Sequence, residues 1–185
     1  MSKVFSALAT SADGYITGRD PRPGHGLGDG GILFDWYGDP RNSSYYQALS
    51  DRVGAVVTGR TTYDDSEAFD GGSPHPTAPM VVVSHRPQPD EHAASDRQSF
   101  ADSMETAVER ARELAGEKDV AIQGGITLTA AIAAGLVDEV IIHQVPVLLG
   151  GGRPLFHDLP AHIRLSLVEA VPAAHVTHLH YRIEK

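Results

Sequence analysis

The sequence predicts an α/β fold: a central mixed, mostly parallel sheet flanked by helices and extended by a C-terminal antiparallel hairpin. Three observations predict it. In the first two thirds of the chain, short apolar runs alternate with helical segments, the pattern of parallel strands joined by crossover helices. At Ala121-Ile122-Gln123 an apolar strand stops at the pair Gly124-Gly125, and a helix of small residues begins at once. Near the C-terminus two strand-like runs are separated only by the turn Pro172-Ala173-Ala174.

Taken in order, Val4 to Thr10 reads as a buried strand ended by the turn pair Asp13-Gly14. Residues 18–35 are rich in Gly and Pro and lack periodicity, so they read as a long loop of the kind that forms lids and binding loops. Asp39-Pro40, with Pro at the first helical position, opens a helix from about Asn42 to Ser50. Ala55 to Thr58 is a second buried strand between Gly54 and Gly59, Glu67 to Pro79 a loop, and Met80 to Ser84 a third strand. Asp102 and Glu105 form a capping-box pattern for a helix ending near Ala115, with Gly116 after it. Its apolar stripe is Met104, Ala107, Val108, Ala111, Leu114 and Ala115. Val120 to Gln123 is the next strand and Thr127 to Ala134 the short helix after the Gly pair. Val140 to Leu149 is then a long strand before Gly150-Gly151-Gly152, and Arg164–Val171 and Val176–Ile183 form the hairpin.

The 185 residues fit one domain, residues 1–185, with 41% hydrophobic and 21% charged residues. A formal charge of −9 without a basic run argues against nucleic acid or an anionic membrane as partner. There is no cysteine, which excludes disulfides, thiolate metal sites and cysteine nucleophiles. No apolar run approaches the ~20 residues of a membrane span, and the N-terminus does not read as a signal peptide, so a cytoplasmic protein is expected. His178 and His180 share one strand face; with no third ligand at a supporting spacing they read as a solvent-facing surface, and no metal is expected.

Ligands of open α/β sheets sit beyond the carboxyl ends of the parallel strands. Three such ends carry chemistry here. Gly59-Arg60-Thr61-Thr62-Tyr63 offers close approach, a cation and hydroxyls; Ser84-His85-Arg86 offers a hydroxyl and a second cation; Gln123-Gly124-Gly125-Ile126-Thr127 offers a helix N-terminus whose free N–H groups favour an anion. Two arginines and several hydroxyls converging there suit a nucleotide with an extra phosphate.

In chain order, Ala9-Thr10-Ser11-Ala12-Asp13-Gly14-Tyr15-Ile16, Gly59-Arg60-Thr61-Thr62-Tyr63, Val82-Val83-Ser84-His85-Arg86, Gln123-Gly124-Gly125 and Pro146 to Phe156 resemble the bacterial dihydrofolate-reductase-like proteins. These share the C-terminal reductase domain of the bifunctional riboflavin-biosynthesis deaminase-reductase. The resemblance covers nearly the whole chain and implies the dihydrofolate-reductase fold with NADPH as cofactor. It implies that Ala9 and Ile16 offer backbone groups to the nicotinamide carboxamide, and that Gly59, Arg60 and Thr61 hold the adenosine and phosphate end. Ser84 and Arg86 would flank the 2′-phosphate, and Gln123, Gly124, Gly125, Ile126 and Thr127 would wrap the pyrophosphate. Two departures stand out. Where dihydrofolate reductases place a buried acid, this chain has Asn42-Ser43-Ser44, and where the riboflavin-pathway reductase carries lysines it has Ala7 and Tyr15.

The expected function is therefore NADPH-dependent reduction of a small heterocyclic or carbonyl/imine substrate, with 5-amino-6-(5-phosphoribosylamino)uracil reduction in riboflavin biosynthesis as one form of it. The alternative is a non-catalytic nucleotide-binding or sensor protein on the same fold. Asp13 and Asp35 are the candidate proton-handling residues, Asp13 having the equal alternative of capping its turn. Tyr15, Trp36 and Tyr46 are the candidate substrate-pocket residues, with Trp36 stacking on a flat ring. Gly150-Gly151-Gly152-Arg153 reads as a bend between strands, with Arg153 at a subunit contact. A homodimer is expected from the long strand 140–149 and the exposed hairpin.

Overall fold

A computed structural model describes residues 2–184. Eight strands form one sheet: β1 (Val4–Ser11), β2 (Val53–Gly59), β3 (Met80–Val83), β4 (Gln98–Ala101), β5 (Asp119–Gln123), β6 (Glu139–Val145), β7 (Leu165–Ala173) and β8 (Val176–Ile183). Their order is β4-β3-β2-β5-β1-β6-β8-β7. The first six strands of that order form five parallel pairs, and β8 joins antiparallel to β6 and to β7. This is the dihydrofolate-reductase-like arrangement. Helices α1 (Ser43–Arg52), α2 (Arg60–Asp65), α3 (Met104–Ala115) and α4 (Gly125–Ala133) complete it.

The strands read as continuous apolar runs because both faces are covered. On one face Val57, Val81, Val120 and Ile122 pack with Ala107, Val108 and Ala111 of α3 and Leu128 of α4. On the other, Phe5, Val53, Val56 and Ile141 meet Leu49 of α1. Further along that side Trp36 and Leu33 are sealed among Ala9, Val145 and Val176.

Several elements differ from expectation. Within the expected loop 18–35, the chain from Gly28 winds into 3-10 turns that run on to Gly38 and carry Leu33 and Trp36 inward. The α1 entry is built as Pro40 implied: Asp39 accepts from Arg41 N–H over a 3-10 turn, and α1 starts at Ser43. Helix α2 and strand β4 were not anticipated, each too short to show periodicity. The N-cap of α3 is Ser103, which accepts from Thr106 N–H at 3.2 Å, so the Asp102/Glu105 box is displaced by one residue. Leu114, assigned to the apolar stripe, is 48% exposed. Strand β6 ends at Val145; Asp13 accepts backbone N–H bonds from Leu149 (3.1 Å) and Gly150 (2.8 Å), pulling the following chain back towards β1.

The His178 face is not solvent-facing. His143 of β6 and His178 of β8 are each 1% exposed, with their Nδ1 atoms 2.9 Å apart, so one ring must donate and the other accept. Tyr45 stacks on His178 at 3.8 Å and Trp36 lies 4.9 Å from His143. Burial, reinforced by His178, pushes His143 down to about 3. His180 instead lies 3.1 Å from Glu139, which is 3% exposed and also bound by Lys3 and Arg52. Burial opposes the Glu139 charge, but the Lys3 and Arg52 bonds outweigh it and hold the carboxyl near 2.

Candidate functional site

The carboxyl ends of β1, β2 and β5 lie side by side because β5 sits between the other two. Above them is a cavity of about 390 Å³. Ten of the residues assigned to a cofactor from sequence line it together: Ala9, Ile16, Gly59, Arg60, Thr61, Gln123, Gly124, Gly125, Ile126 and Thr127. Ser84 and Arg86 do not; they line an open groove alongside, with His85, Phe100 and Arg110. Arg60 joins the two spaces, its Nη1 lying 3.1 Å from the Pro87 carbonyl and 3.5 Å from Ser84 Oγ.

The cavity floor is the N-terminus of α4. Its first intrahelical bond runs from Leu128 N–H to the Gly124 carbonyl at 2.9 Å, and Gly124 supplies no side-chain cap. The N–H groups of Gly125, Ile126 and Thr127 therefore remain available to an anion. Ile126, at the rim of this helix end, is 58% exposed.

The glycine pair is required by packing within the protein itself. Gly124 has φ +93°, a conformation L side chains rarely adopt, and a Cβ there would meet Thr62 Oγ1 at 2.7 Å. A Cβ on Gly125 would stand 2.5 Å from the Pro154 carbonyl and 2.9 Å from that of Leu155. The missing side chains thus let α4 pack against α2 and the 154–155 segment, and the residues that open α4 line the cavity.

Sequence reasoning missed several contributors. Pro21, Gly26 and Leu27 of the loop line the cavity, as does Asp65. Arg153, expected at a subunit contact, instead pairs with Asp65 and donates to the Pro21 carbonyl at 3.2 Å. It ties the loop to α2 over the cavity. No local signal marks this bond, since its partners are 88 and 132 residues away in the chain.

A second, smaller cavity of about 180 Å³ shares Leu8, Ala9, Phe34 and Gln123 with the first. Its remaining wall includes Phe5, Ala7, Tyr37, Tyr46, Leu49 and His75. Tyr37 and Tyr46 meet edge-on at 4.6 Å, and desolvation together with the Tyr46 phenol raises Tyr37, keeping its hydroxyl a proton-bearing donor. His75 Nδ1 accepts from Ala78 N–H at 2.9 Å while Nε2 faces Ser50, so this ring braces α1. Gln123 Oε1 is buried without a partner where the two cavities meet.

Of the substrate and proton-handling candidates, Tyr46 alone lines this cavity. Trp36 is 1% exposed and is a core plug rather than a stacking platform. Asp35 is exposed and lines neither cavity, and Tyr15 is turned into a bridge with Pro154. Asp13 is held below its ordinary value by hydrogen bonding to Ser11 and by the Gly150 and Leu149 N–H groups; it clamps the loop after β6 as a carboxylate. Asn42, in the neighbourhood where a dihydrofolate reductase has its acid, is 2% exposed and spends its amide on the Trp36 and Ala174 carbonyls.

Fold and cleft thus define a dihydrofolate-reductase-like protein with a two-part cleft at the strand ends. The model of the RibD C-terminal domain matches residues 2–179, and the chain belongs to that family. It is 29% identical over 182 residues to YwjB of Bacillus subtilis (strain 168), itself uncharacterized, with 97% of each chain covered. Among solved structures it is similar to a Shewanella sp. PV-4 protein provisionally described as a riboflavin biosynthesis protein, at 26% identity and TM-score 0.77 with both chains fully covered. Acinetobacter baumannii RibD shares the fold at 21% identity and TM-score 0.66, the whole of this chain spanning 58% of that one. Among the described residues no helix is long and apolar enough to cross a membrane.

Proposed function

We propose that the protein is an NADPH-dependent reductase of a small, uncharged, flat substrate. The observation that carries this reading is the cavity floor: three N–H groups of α4 left without intrahelical partners, beside Arg60 and the ends of β1, β2 and β5. That donor set fits a dinucleotide pyrophosphate, and the buried, unpartnered Gln123 Oε1 fits an amide or ring N–H at the junction of the two cavities. Bound there, the nicotinamide would supply hydride. The protein's own groups would bind the phosphates at α4, hold the substrate against Tyr37, Tyr46 and Leu49, and exclude water with the 21–27 loop fastened by Arg153 and Asp65.

The smaller cavity selects the substrate class. No Lys or Arg is among its lining residues, so a phosphoribosyl group would lack a countercharge there, whereas a neutral heterocycle or conjugated carbonyl would meet aromatic faces and the Tyr37 hydroxyl. The absence of a carboxylic acid from this wall favours a substrate protonated by Tyr37 or by solvent. The same absence supports the second reading, a nucleotide-binding protein without turnover.

Calorimetric titration with NADPH, followed by a panel of enones, imines, quinones and dihydropterins monitored by nicotinamide absorbance, tests both. Micromolar binding with oxidation by one class supports the reductase. Binding without oxidation by any class supports the sensor, and no binding overturns both.

A further inference from the structure

The two arginines expected to grip a 2′-phosphate are already joined by a carboxylate. Asp64, in the last turn of α2, accepts from Arg60 Nε through Oδ1 at 2.7 Å and from Arg86 Nη2 through Oδ2 at 2.7 Å. Its side chain is 33% exposed, against 18% for Arg60 and 63% for Arg86, so the acid lies between an inner and an outer cation, and Arg86 is the outer one. Ser84 fixes the geometry: its Oγ accepts from Arg86 N–H at 3.0 Å and donates to the Arg86 carbonyl at 2.8 Å. The other charged groups near this rim are Arg110, which donates to the Phe100 carbonyl at 2.8 Å, and Asp102 across the groove.

We propose that Asp64 is a specificity-determining residue that limits how strongly this site prefers a 2′-phosphorylated dinucleotide over the unphosphorylated one. The proposal rests on the dinucleotide reading of the cavity. Two guanidinium groups carry two positive charges, and Asp64 cancels one of them at hydrogen-bond distance. A phosphate monoester near neutral pH brings close to two negative charges. Landing on the free donors of Arg60 and Arg86, it lies within a few ångströms of the Asp64 carboxylate, in a partly screened setting where like charges still repel. Each guanidinium has five N–H donors, so the phosphate can be held without breaking the Asp64 bonds. The carboxylate therefore lowers the gain from the phosphate rather than blocking it. An unphosphorylated ribose brings no such charge and is indifferent to Asp64.

Asp64→Asn keeps an oxygen acceptor for one arginine and removes the charge. Titrating the native protein and this variant with NADPH, NADH, 2′,5′-ADP and 5′-AMP isolates the term. The variant should bind NADPH and 2′,5′-ADP about five- to tenfold more tightly, with a steeper salt dependence, and NADH and 5′-AMP within about twofold of native. Thermal melting checks the fold, and Asp64→Ser replaces the variant if Asn disturbs α2. An unchanged or reduced NADPH-to-NADH ratio in the folded variant overturns the role of Asp64 while leaving the dinucleotide site standing. Failure of all four ligands to bind either protein overturns the dinucleotide reading and this proposal with it.

Discussion

Replacing Ile126 by Glu places a carboxylate at the start of α4 without touching the core. Ile126 is 58% exposed, lines the larger cavity and lies beside the free N–H groups. For the fold alone, an acid in the first turn of a helix is favourable by about 0.3–1 kcal/mol, so the variant should melt at or slightly above the native temperature. For an anionic ligand the sign reverses. A carboxylate ~8 Å from a unit charge at an effective dielectric of ~20 repels it by about 2 kcal/mol, and it also satisfies the N–H groups the ligand needs. NADPH affinity should fall at least ~30-fold. Isothermal titration of native, Ile126→Glu and Ile126→Gln proteins separates charge from shape, since Gln keeps the size and should stay within about threefold of native. If Glu and Gln variants bind equally well, the helix N-terminus is not the anion site. A direct Gly125→Val test would be less informative, because a Cβ there strikes the Pro154 and Leu155 carbonyls and would damage packing first.

Three further outcomes are expected. Because His143 is lowered to about 3, the fold takes up its neutral form: its stabilisation is complete above the ordinary value near 6.5 and drains away as pH falls towards 3, at up to roughly 1.4 kcal/mol per pH unit. Denaturant melts of native and His143→Asn between pH 6.5 and 5.5, above the Glu139 range, should show a shallower slope in the variant; equal slopes would refute the linkage. Glu67 is exposed at φ +49° and leads a run of left-handed residues through Asp70, so Glu67→Gly should stabilise by about 0.5–1 kcal/mol, a rise of a few degrees in Tm, and a fall would show that the conformation is not strained. On β7, Leu165, Leu167 and Val168 are 38%, 59% and 46% exposed on an edge strand, and we propose that they pair with a second copy. Light scattering should then give twice 19.7 kDa for the native protein and 19.7 kDa for Leu167→Asp, and a native mass of 19.7 kDa would remove the dimer.

The sheet was legible because its signals are local. Apolar runs such as Val81-Val82-Val83 and Ala55-Val56-Val57 have no polar alternation, which means two covered faces; the hairpin was legible too, although its turn falls at Ala174-His175, with Pro172 and Ala173 of the expected turn paired in β7. What escaped was either short or set by distant partners. Helix α2 has six residues, too few to display a period, and its helical state follows from Tyr63 packing beneath β3 and Arg60 bonding Asp64. The 3-10 turns from Gly28 to Gly38 look polar and Gly-rich in sequence, yet they exist to insert Leu33 and Trp36 into a gap beside Val145 and Val176.

At the site, residue type alone gathered ten residues that line one cavity, whereas the acids Asp13 and Asp35 it singled out line neither cavity. In sequence Asp13 reads as a proton carrier or a turn cap, whereas Asp64 and Asp65, also beside the cleft, have no role assigned from sequence. The structure gives every one of them a structural partner: the Leu149 and Gly150 N–H groups for Asp13, Arg60 and Arg86 for Asp64, and Arg153 for Asp65. Those partners lie up to 137 residues away, a separation at which no spacing rule operates. The consequence is chemical. Oxygens already engaged by cations and backbone N–H groups hold the walls of the cleft in place. On the proposed reductase reading, proton delivery to a substrate in the smaller cavity would fall to the Tyr37 hydroxyl or to water. The activity of a Tyr37→Phe variant decides between them: retention of full turnover with an oxidising substrate would assign the proton to water.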